Sequence, residues 1–418
     1  MSTDRPTSLV LVAGLPRAGT DTLATELSRA EPGTVVVHHD LREISHGVVR
    51  RRLRHGSHDM TTVLELAHGC VSCTLREDLL PLLRKLIAAD GVRRIVVHLD
   101  PSLEPEAVCW ALDHVVVGDS TITDLSTVDG VLTVVDESSW LADATGDAEL
   151  AERGLGASPD DDRSIAQVAV GQVEFADVVL LTGAAPSTWD AARTGAVLDR
   201  LAPAAPRARL STVDASTLLG RVPEFARRGR IDDAHGPLLR GEPPLEPDCG
   251  VAVTVFRDRR PFHPERLHQS IDALLDGVVR TRGRMWVASQ PDVALWLESA
   301  GGGLRVGHAG AWLAAVSEDA WRHADPERVA KASLDWDPYY GDRIQELVIV
   351  SHLAEPEQIT ATLRAALLTD DELAEGETAW RGYPDPFGSW HQDPCDTRES
   401  DDDPLSTNIT DRTGRDDA

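Results

Sequence analysis

The sequence predicts an α/β fold, a mostly parallel sheet with helices on both faces, followed by a smaller α+β domain. Three observations carry this reading. Over the first two hundred residues, short, uniformly apolar runs alternate with helical patterns, the signature of parallel strands buried on both sides. A stretch rich in Gly, Pro and charge then interrupts the alternation at 229–249. Beyond it the grammar changes to strand-like runs with few intervening helices, which predicts an antiparallel sheet. At 418 residues the chain exceeds a single core. The expected division is therefore 1–228, a linker at 229–249, a second domain at 250–395, and an acidic tail at 396–418 too poor in apolar residues to fold.

The elements follow in order. "SLVLVAG" (8–14) reads as a buried strand, and Leu23 and Leu27 one turn apart mark a helix over 22–30. "TVVVHHD" (34–40) is a second strand. In "TLREDLLPLLRKLIAA" (74–89), Leu75, Leu79, Leu82 and Leu86 make one helical stripe. "RRIVVHLD" (93–100), "VDGVLTVVD" (128–136) and "ADVVLLTG" (176–183) read as further strands, with helices at 104–116 and 163–175 between them. In the second region, "VAVTVF" leads to a helix entered through Pro264. "VVRTRGRMWVAS", a glycine-broken "SAGGGLRVGHAGAWLAAV" and "ELVIVSHL" with a helix after it complete the α+β pattern.

Composition limits the function classes. A formal charge of −28 argues against broad contact with DNA or RNA, whose affinity rests on phosphate neutralisation. One basic run stands out, "VVRRRLRHG" at 48–56, with Arg50, Arg51, Arg52 and Arg54; it is either a solvated patch or a docking surface for an anionic partner such as ribosomal RNA. The N-terminal apolar run is too short for a signal peptide, and no segment approaches eighteen apolar residues, so no membrane association is expected. Five cysteines, an odd number, argue for reduced thiols and a cytoplasmic protein.

Two short motifs carry chemistry. "GLPRAGTD" (14–21) has the two glycines, Gly14 and Gly19, of a phosphate-cradling loop, but Thr20 and Asp21 stand where Lys and Ser or Thr are needed. "ELAHGCVSCTLREDLL" (65–80) places Cys70 and Cys73 in a C-x-x-C just before a helix, with His68 nearby. Such a pair holds a tetrahedral metal ion, works as a dithiol, or packs. Because ligands of open parallel sheets sit beyond the C-terminal strand ends, the glycine loop, His38-His39-Asp40 and His98-Leu99-Asp100 are expected around one crevice. Cys109 reads as core, and Cys249 and Cys395 have no assigned role.

On these and further residues the chain resembles the CobW-type family of P-loop GTPases, zinc-linked proteins with a CobW C-terminal domain. "GLPRAGTDT" lies over the family's G-x-x-G-A-G-K-T-T loop and "GCVSCTLREDLL" over G-C-x-C-C-T-L-R-x-D-L-L. "HLDPSLEP" (98–105) lies over the switch segment and "ADVVLLTGAA" (176–185) over the guanine motif; "RRPFHPERL", "GVVRTRGRMWVAS", "SAGGGLRV" and "GDRIQELVIV" match the second domain. The resemblance implies a P-loop fold with GTP and Mg²⁺ at Gly14, Gly19, Thr20 and Thr22. It also implies zinc at Cys70 and Cys73, with His39 at the position of a family zinc-ligating Glu and His68 as a fourth donor. The loop Lys is replaced by Thr20, the switch Glu and Gly by His98 and Pro101, and the guanine-reading Asn, Lys and Asp by Thr182, Gly183 and Ala185. Nucleotide binding is accordingly expected to be weak or lost.

A narrower set, including "LEPEAVCWAL", "WLESAGGGLRV" and "DPFGSWH", is similar to an actinobacterial group of ribosome hibernation factor-recruiting proteins. That implies a zinc-responsive adaptor whose partners are a hibernation-promoting factor and the ribosome. The alternatives are a working zinc metallochaperone GTPase and a thiol redox protein.

Overall fold

The computed structural model describes residues 6–66, 70–156, 161–231, 238–239 and 241–388. The acidic tail expected at 396–418 and part of the 229–249 linker lie outside the described residues. Residues up to Pro386 form one unit containing two sheets.

The first sheet has eight strands: β1 (Thr7–Ala13), β2 (Thr34–Asp40), β3 (Val48–His55), β4 (His58–Glu65), β5 (Arg94–His98), β6 (Ser126–Asp136), β7 (Val178–Thr182) and β8 (Arg207–Arg209), in spatial order β4-β3-β2-β5-β1-β6-β7-β8. From β2 to β8 all neighbours are parallel, while β3 and β4 add an antiparallel hairpin at one edge. The apolar runs of β1, β2, β5, β6 and β7 are where expected. The hairpin is the difference: the arginine run is strand β3. Only Val49 is buried in it, and the consecutive arginines leave neither an apolar run nor a clean alternation to mark the strand.

Helices cover both faces. α1 (Arg17–Ala30) packs Leu23, Ala24 and Leu27 on one face against Val10, Val12, Val36, Val96 and Leu132. The other face takes the segment after β4: α2 (Val71–Thr74), a π-helical turn (Leu75–Leu79) and α3 (Leu80–Ile87). The Leu80 N–H bonds the Leu75 carbonyl five residues back, and Pro81 follows with no N–H to give. The extra residue rotates the apolar stripe, so Leu75, Leu79, Leu80 and Leu83 are fully buried while Leu82 and Leu86 pack against the same core only partly buried. α4 (Pro105–His114), α5 (Trp140–Thr145), α6 (Ile165–Glu174), α7 (Thr188–Leu201) and α8 (Ala215–Leu218) complete this layer structure. Cys109 on α4 is buried in the core, which pushes its thiol pKa up.

The second sheet is antiparallel throughout: β9 (Ala252–Asp258), β10 (Val278–Met285), β11 (Val293–Ala300), β12 (Gly303–Ala311) and β13 (Gln345–Ser351), in order β12-β11-β10-β13-β9. α9 (Pro264–Gln269) enters through Pro264. Two short helices, α10 (Glu318–His323) and α11 (Pro326–Leu334), follow β12, and α12 (Pro356–Ala366) packs on β9.

The two sheets share a core in which Val135, Trp140 and Ala166 meet Val251, Val279, Ala300 and Val350. The triple glycine of "SAGGGLRV" is explained here. A Cβ on Gly301 would lie 2.2 Å from the Gly146 carbonyl oxygen, and one on Gly303 2.6 Å from the Ser164 hydroxyl. Only glycine lets the β11–β12 turn close onto the start of α6.

Candidate functional site

The glycine loop is tight. α1 begins at Arg17, inside the G-x-x-x-x-G span, with Pro16 at its N-cap and no side-chain cap. Both glycines are demanded by β6. Gly14 has φ +141° and a Cβ there would meet the Val134 carbonyl oxygen at 2.4 Å, while one on Gly19 would meet the Val134 side chain at 2.9 Å. The hydroxyls expected to face phosphate or metal are turned back into the helix: Thr20 is fully buried and donates to the Arg17 carbonyl at 3.1 Å, and Thr22 donates to that of Ala18 at 2.7 Å. Asp21 turns toward β3, where Arg54 lies 3.1 Å away.

Across the crevice Arg17 reaches the buried Asp100 at 3.1 Å. Asp100 also accepts the main-chain N–H groups of Leu41 and Ser102 and the Ser102 hydroxyl. It therefore ties the start of α1, the end of β2 and the segment after β5 to one carboxylate. Beside it the His38 ring stacks on His98 at 4.3 Å, as the β2–β5 register places them side by side. His38 Nδ1 donates to the His98 carbonyl at 2.9 Å. Burial lowers the pKa of His38, and burial with the nearby His38, Arg54, Arg17 and Arg52 pushes that of His98 down to about 3, so His98 is neutral at physiological pH.

His39, one residue on, points to the opposite face. Its Nε2 lies 2.7 Å from Asp78 on the π-helical turn, and Arg51 holds the other carboxylate oxygen at 2.5 Å. Burial works against the Asp78 charge, but His39 and Arg51 outweigh it and hold the carboxyl below the usual range. Asp78 escaped the sequence reading because it sits in a leucine-rich helix. Its partner Arg51 was the available signal, as the one arginine of the run that lands beside His39 in an antiparallel β2–β3 pair.

Cys70 is the N-cap of α2. Its sulfur accepts the Cys73 N–H at 3.3 Å, and the two sulfurs stand 2.8 Å apart. Thiolates about 2.3 Å from one tetrahedral zinc lie roughly 3.8 Å from each other, so a separation about 1 Å wider would admit the ion. The donor chemistry fits zinc. Among the described residues no group of three or more His, Cys, Asp or Glu side chains comes together as a metal set. His39 is thus not brought onto the cysteine pair, and His68 lies outside the described residues.

The positions over the guanine motif are also occupied from within. Gly183 (φ +62°) closes over Asp136, whose Oδ1 would lie 2.2 Å from a Cβ there. Arg209 donates to the Gly183 carbonyl at 2.8 Å and pairs with Glu137 at 2.5 Å. The basic run resolves into ion pairs: Arg50 with Glu43, Arg51 with Asp78, Arg52 with Asp59, and Arg54 with Asp21. What reads as a positive patch in the sequence is a locally compensated edge.

Comparison with known proteins decides the family. Residues 9–207 match the CobW/HypB/UreG nucleotide-binding domain and residues 251–367 the cobalamin synthesis protein CobW C-terminal domain. A zinc chaperone of Mycobacterium tuberculosis is 47% identical over 400 residues, covering 93% of this chain and 94% of that protein. The chain belongs to the CobW family. Another relative, the zinc-regulated GTPase metalloprotein activator 1 of Dictyostelium discoideum, is 29% identical over 338 residues, covering 78% of this chain and 70% of that one. The Zn(II)-bound YjiA GTPase of E. coli matches at 15% identity with a TM-score of 0.36, covering 87% of this chain and all of that one. Among the described residues no helix is long and apolar enough to cross a membrane.

Proposed function

We propose that this CobW-family chain is a zinc-handling protein that takes zinc as cargo on Cys70 and Cys73, as a metallochaperone does. The observation that carries this is the pair of sulfurs set side by side at the start of α2, beyond the parallel strand ends where such folds hold ligands. The zinc chaperone with which nearly the whole chain aligns supports it. In this reading the N-cap geometry orients both thiols, and His68, two positions before Cys70 in the sequence, supplies a third donor. The direct test is transfer. Zinc-loaded chain should restore a zinc-stripped acceptor protein faster than free zinc under chelator, and Cys70→Ser with Cys73→Ser should abolish the gain.

A second reading rests on a different observation, the internal occupation of the nucleotide crevice. Thr20 in place of Lys, the Arg17–Asp100 tie and the Arg209–Glu137 pair each remove or fill a contact that phosphate or base would use. They favour a chain with weak or lost nucleotide binding, working as a zinc-responsive adaptor that recruits a ribosome hibernation-promoting factor. In that case Arg50, Arg51, Arg52 and Arg54 would meet ribosomal RNA only by giving up their carboxylates. Calorimetry separates the readings. Micromolar affinity for GTP with Mg²⁺ selects the metallochaperone GTPase; none tighter than about millimolar, with hibernation factor captured from zinc-starved cells, selects the adaptor.

A further inference from the structure

The cysteine pair has a second chemistry besides metal binding. Cys70 and Cys73 take the N-cap and N3 positions of α2, the two whose side chains reach toward each other in a capping box. The extended backbone of Cys70, φ −132° and ψ 154°, turns its side chain over the first helical turn, where the sulfur accepts the Cys73 N–H at 3.3 Å. Thr74 locks that turn. Its N–H and its hydroxyl both donate to the Cys70 carbonyl at 3.2 Å, and the residue is buried. The backbone thus holds the two sulfurs 2.8 Å apart at a half-buried position, and Ser72 between them adds no third thiol.

The other described cysteines sit differently. Cys109 is buried in the core on α4, and burial raises its pKa. Cys249 donates to the Asp248 carboxylate at 3.3 Å, which raises its pKa too. Each is held as a thiol. A zinc dithiolate needs its sulfurs roughly 3.8 Å apart and a disulfide bond about 2.05 Å. A small opening of the Cys70–Cys73 pair serves the first and a small closing the second, and the two states exclude one another.

We propose that Cys70 and Cys73 carry out thiol–disulfide exchange, closing to an intramolecular disulfide at the expense of a low-molecular-weight disulfide, RSSR. One cysteine thiolate attacks a sulfur of RSSR; a Cys–S–SR bond forms, the reagent's S–S bond breaks and one RS⁻ leaves. The second cysteine attacks the protein sulfur of this mixed disulfide, the Cys70–Cys73 bond forms and the second RS⁻ leaves. The two thiol protons pass to the two departing thiolates. The protein thereby gives up two electrons, and RSSR takes them to become two RSH. The locked turn favours the second step, because the attacking sulfur already stands beside its target. Closure also consumes both thiolate ligands and so releases zinc, which makes redox state the control on cargo. That consequence rests on the zinc reading; the exchange itself does not.

The test treats the metal-free full chain with excess oxidised glutathione and follows the products by mass-spectrometric disulfide mapping, with folding checked by circular dichroism. The expected product is a Cys70–Cys73 bridge with no glutathione on either residue, and zinc added beforehand should slow its formation about tenfold or more. Cys73→Ser should instead keep one glutathione on Cys70, having no second sulfur to expel it. Cys109→Ser and Cys249→Ser should close as the wild type does. Lasting glutathione adducts on the wild-type pair overturn the proposal, as does a folded chain whose pair stays reduced, or a bridge from either residue to Cys395. Closure in a chain that binds no zinc supports the exchange and overturns the zinc reading. Zinc held by the pair, with no closure once the metal is stripped, overturns the exchange alone.

Discussion

Asp100 makes the crevice a single structural unit, and removing its carboxylate should be costly. The group is 2% exposed and accepts two main-chain N–H groups, a hydroxyl and the Arg17 guanidinium. Asp100→Ala leaves the Leu41 and Ser102 amides without their acceptor in a buried place. Each stranded donor costs about 1–3 kcal/mol. The Arg17 pair, with one partner a third exposed, adds at most about 1 kcal/mol. The sum is about 2–7 kcal/mol for Asp100→Ala and roughly 2 for Asp100→Asn, which keeps one acceptor oxygen. Urea unfolding followed by far-UV circular dichroism at pH 7 measures it as a lowered midpoint. A loss below about 1 kcal/mol for Asp100→Ala would refute the view that this carboxylate holds the α1 start, the β2 end and the post-β5 segment together.

Four further outcomes follow from the same structure. His98 has a folded pKa near 3 against 6.5 unfolded, so the unfolded chain takes up the proton first. The stability linked to His98 is present above pH 6.5 and drains as pH falls toward 3, by up to about 1.4 kcal/mol per pH unit; His98→Gln should give a shallower acid limb in urea titrations, and identical limbs would contradict this. Glu174→Gln removes the nearer partner of the buried Arg280, leaving Glu298 at 3.4 Å; a loss of about 2–3 kcal/mol and separated unfolding of the two sheets by calorimetry are expected. Gly14→Ala forces a Cβ to within 2.4 Å of the Val134 oxygen at φ +141° and should cost more than about 2 kcal/mol in chemical denaturation, whatever happens to nucleotide binding. Arg52→Ala, breaking an exposed pair, should change stability by less than about 0.5 kcal/mol, whereas Arg51→Ala, which strips the half-buried Asp78, should cost about 2 by the same assay.

Much of the fold was legible because its strands are apolar on both faces. β1, β2, β5, β6 and β7 are runs of Val and Leu, and uniform burial leaves that mark in the sequence. The β3–β4 hairpin was not legible, because an edge strand with charged side chains has neither an apolar run nor clean alternation. The π-helical turn was hidden for another reason: one inserted residue moves the fully buried stripe from Leu82 to Leu83 without changing composition. At the site, the glycine spacing was visible but its cause was not. Gly14 and Gly19 are dictated by contact with β6 as much as by any phosphate. The arginine run shows the converse limit, since the carboxylates that neutralise it come from Asp21, Glu43, Asp59 and Asp78, spread over 58 positions of chain.

The central claim is that zinc is held by Cys70 and Cys73. The measurement that tests it most directly is metal content after dialysis, by mass spectrometry, of the full chain beside the Cys70→Ser, Cys73→Ser double variant, with folding checked by circular dichroism. The account predicts about one zinc per wild-type chain and essentially none in the folded variant. Equal zinc in the two would contradict it.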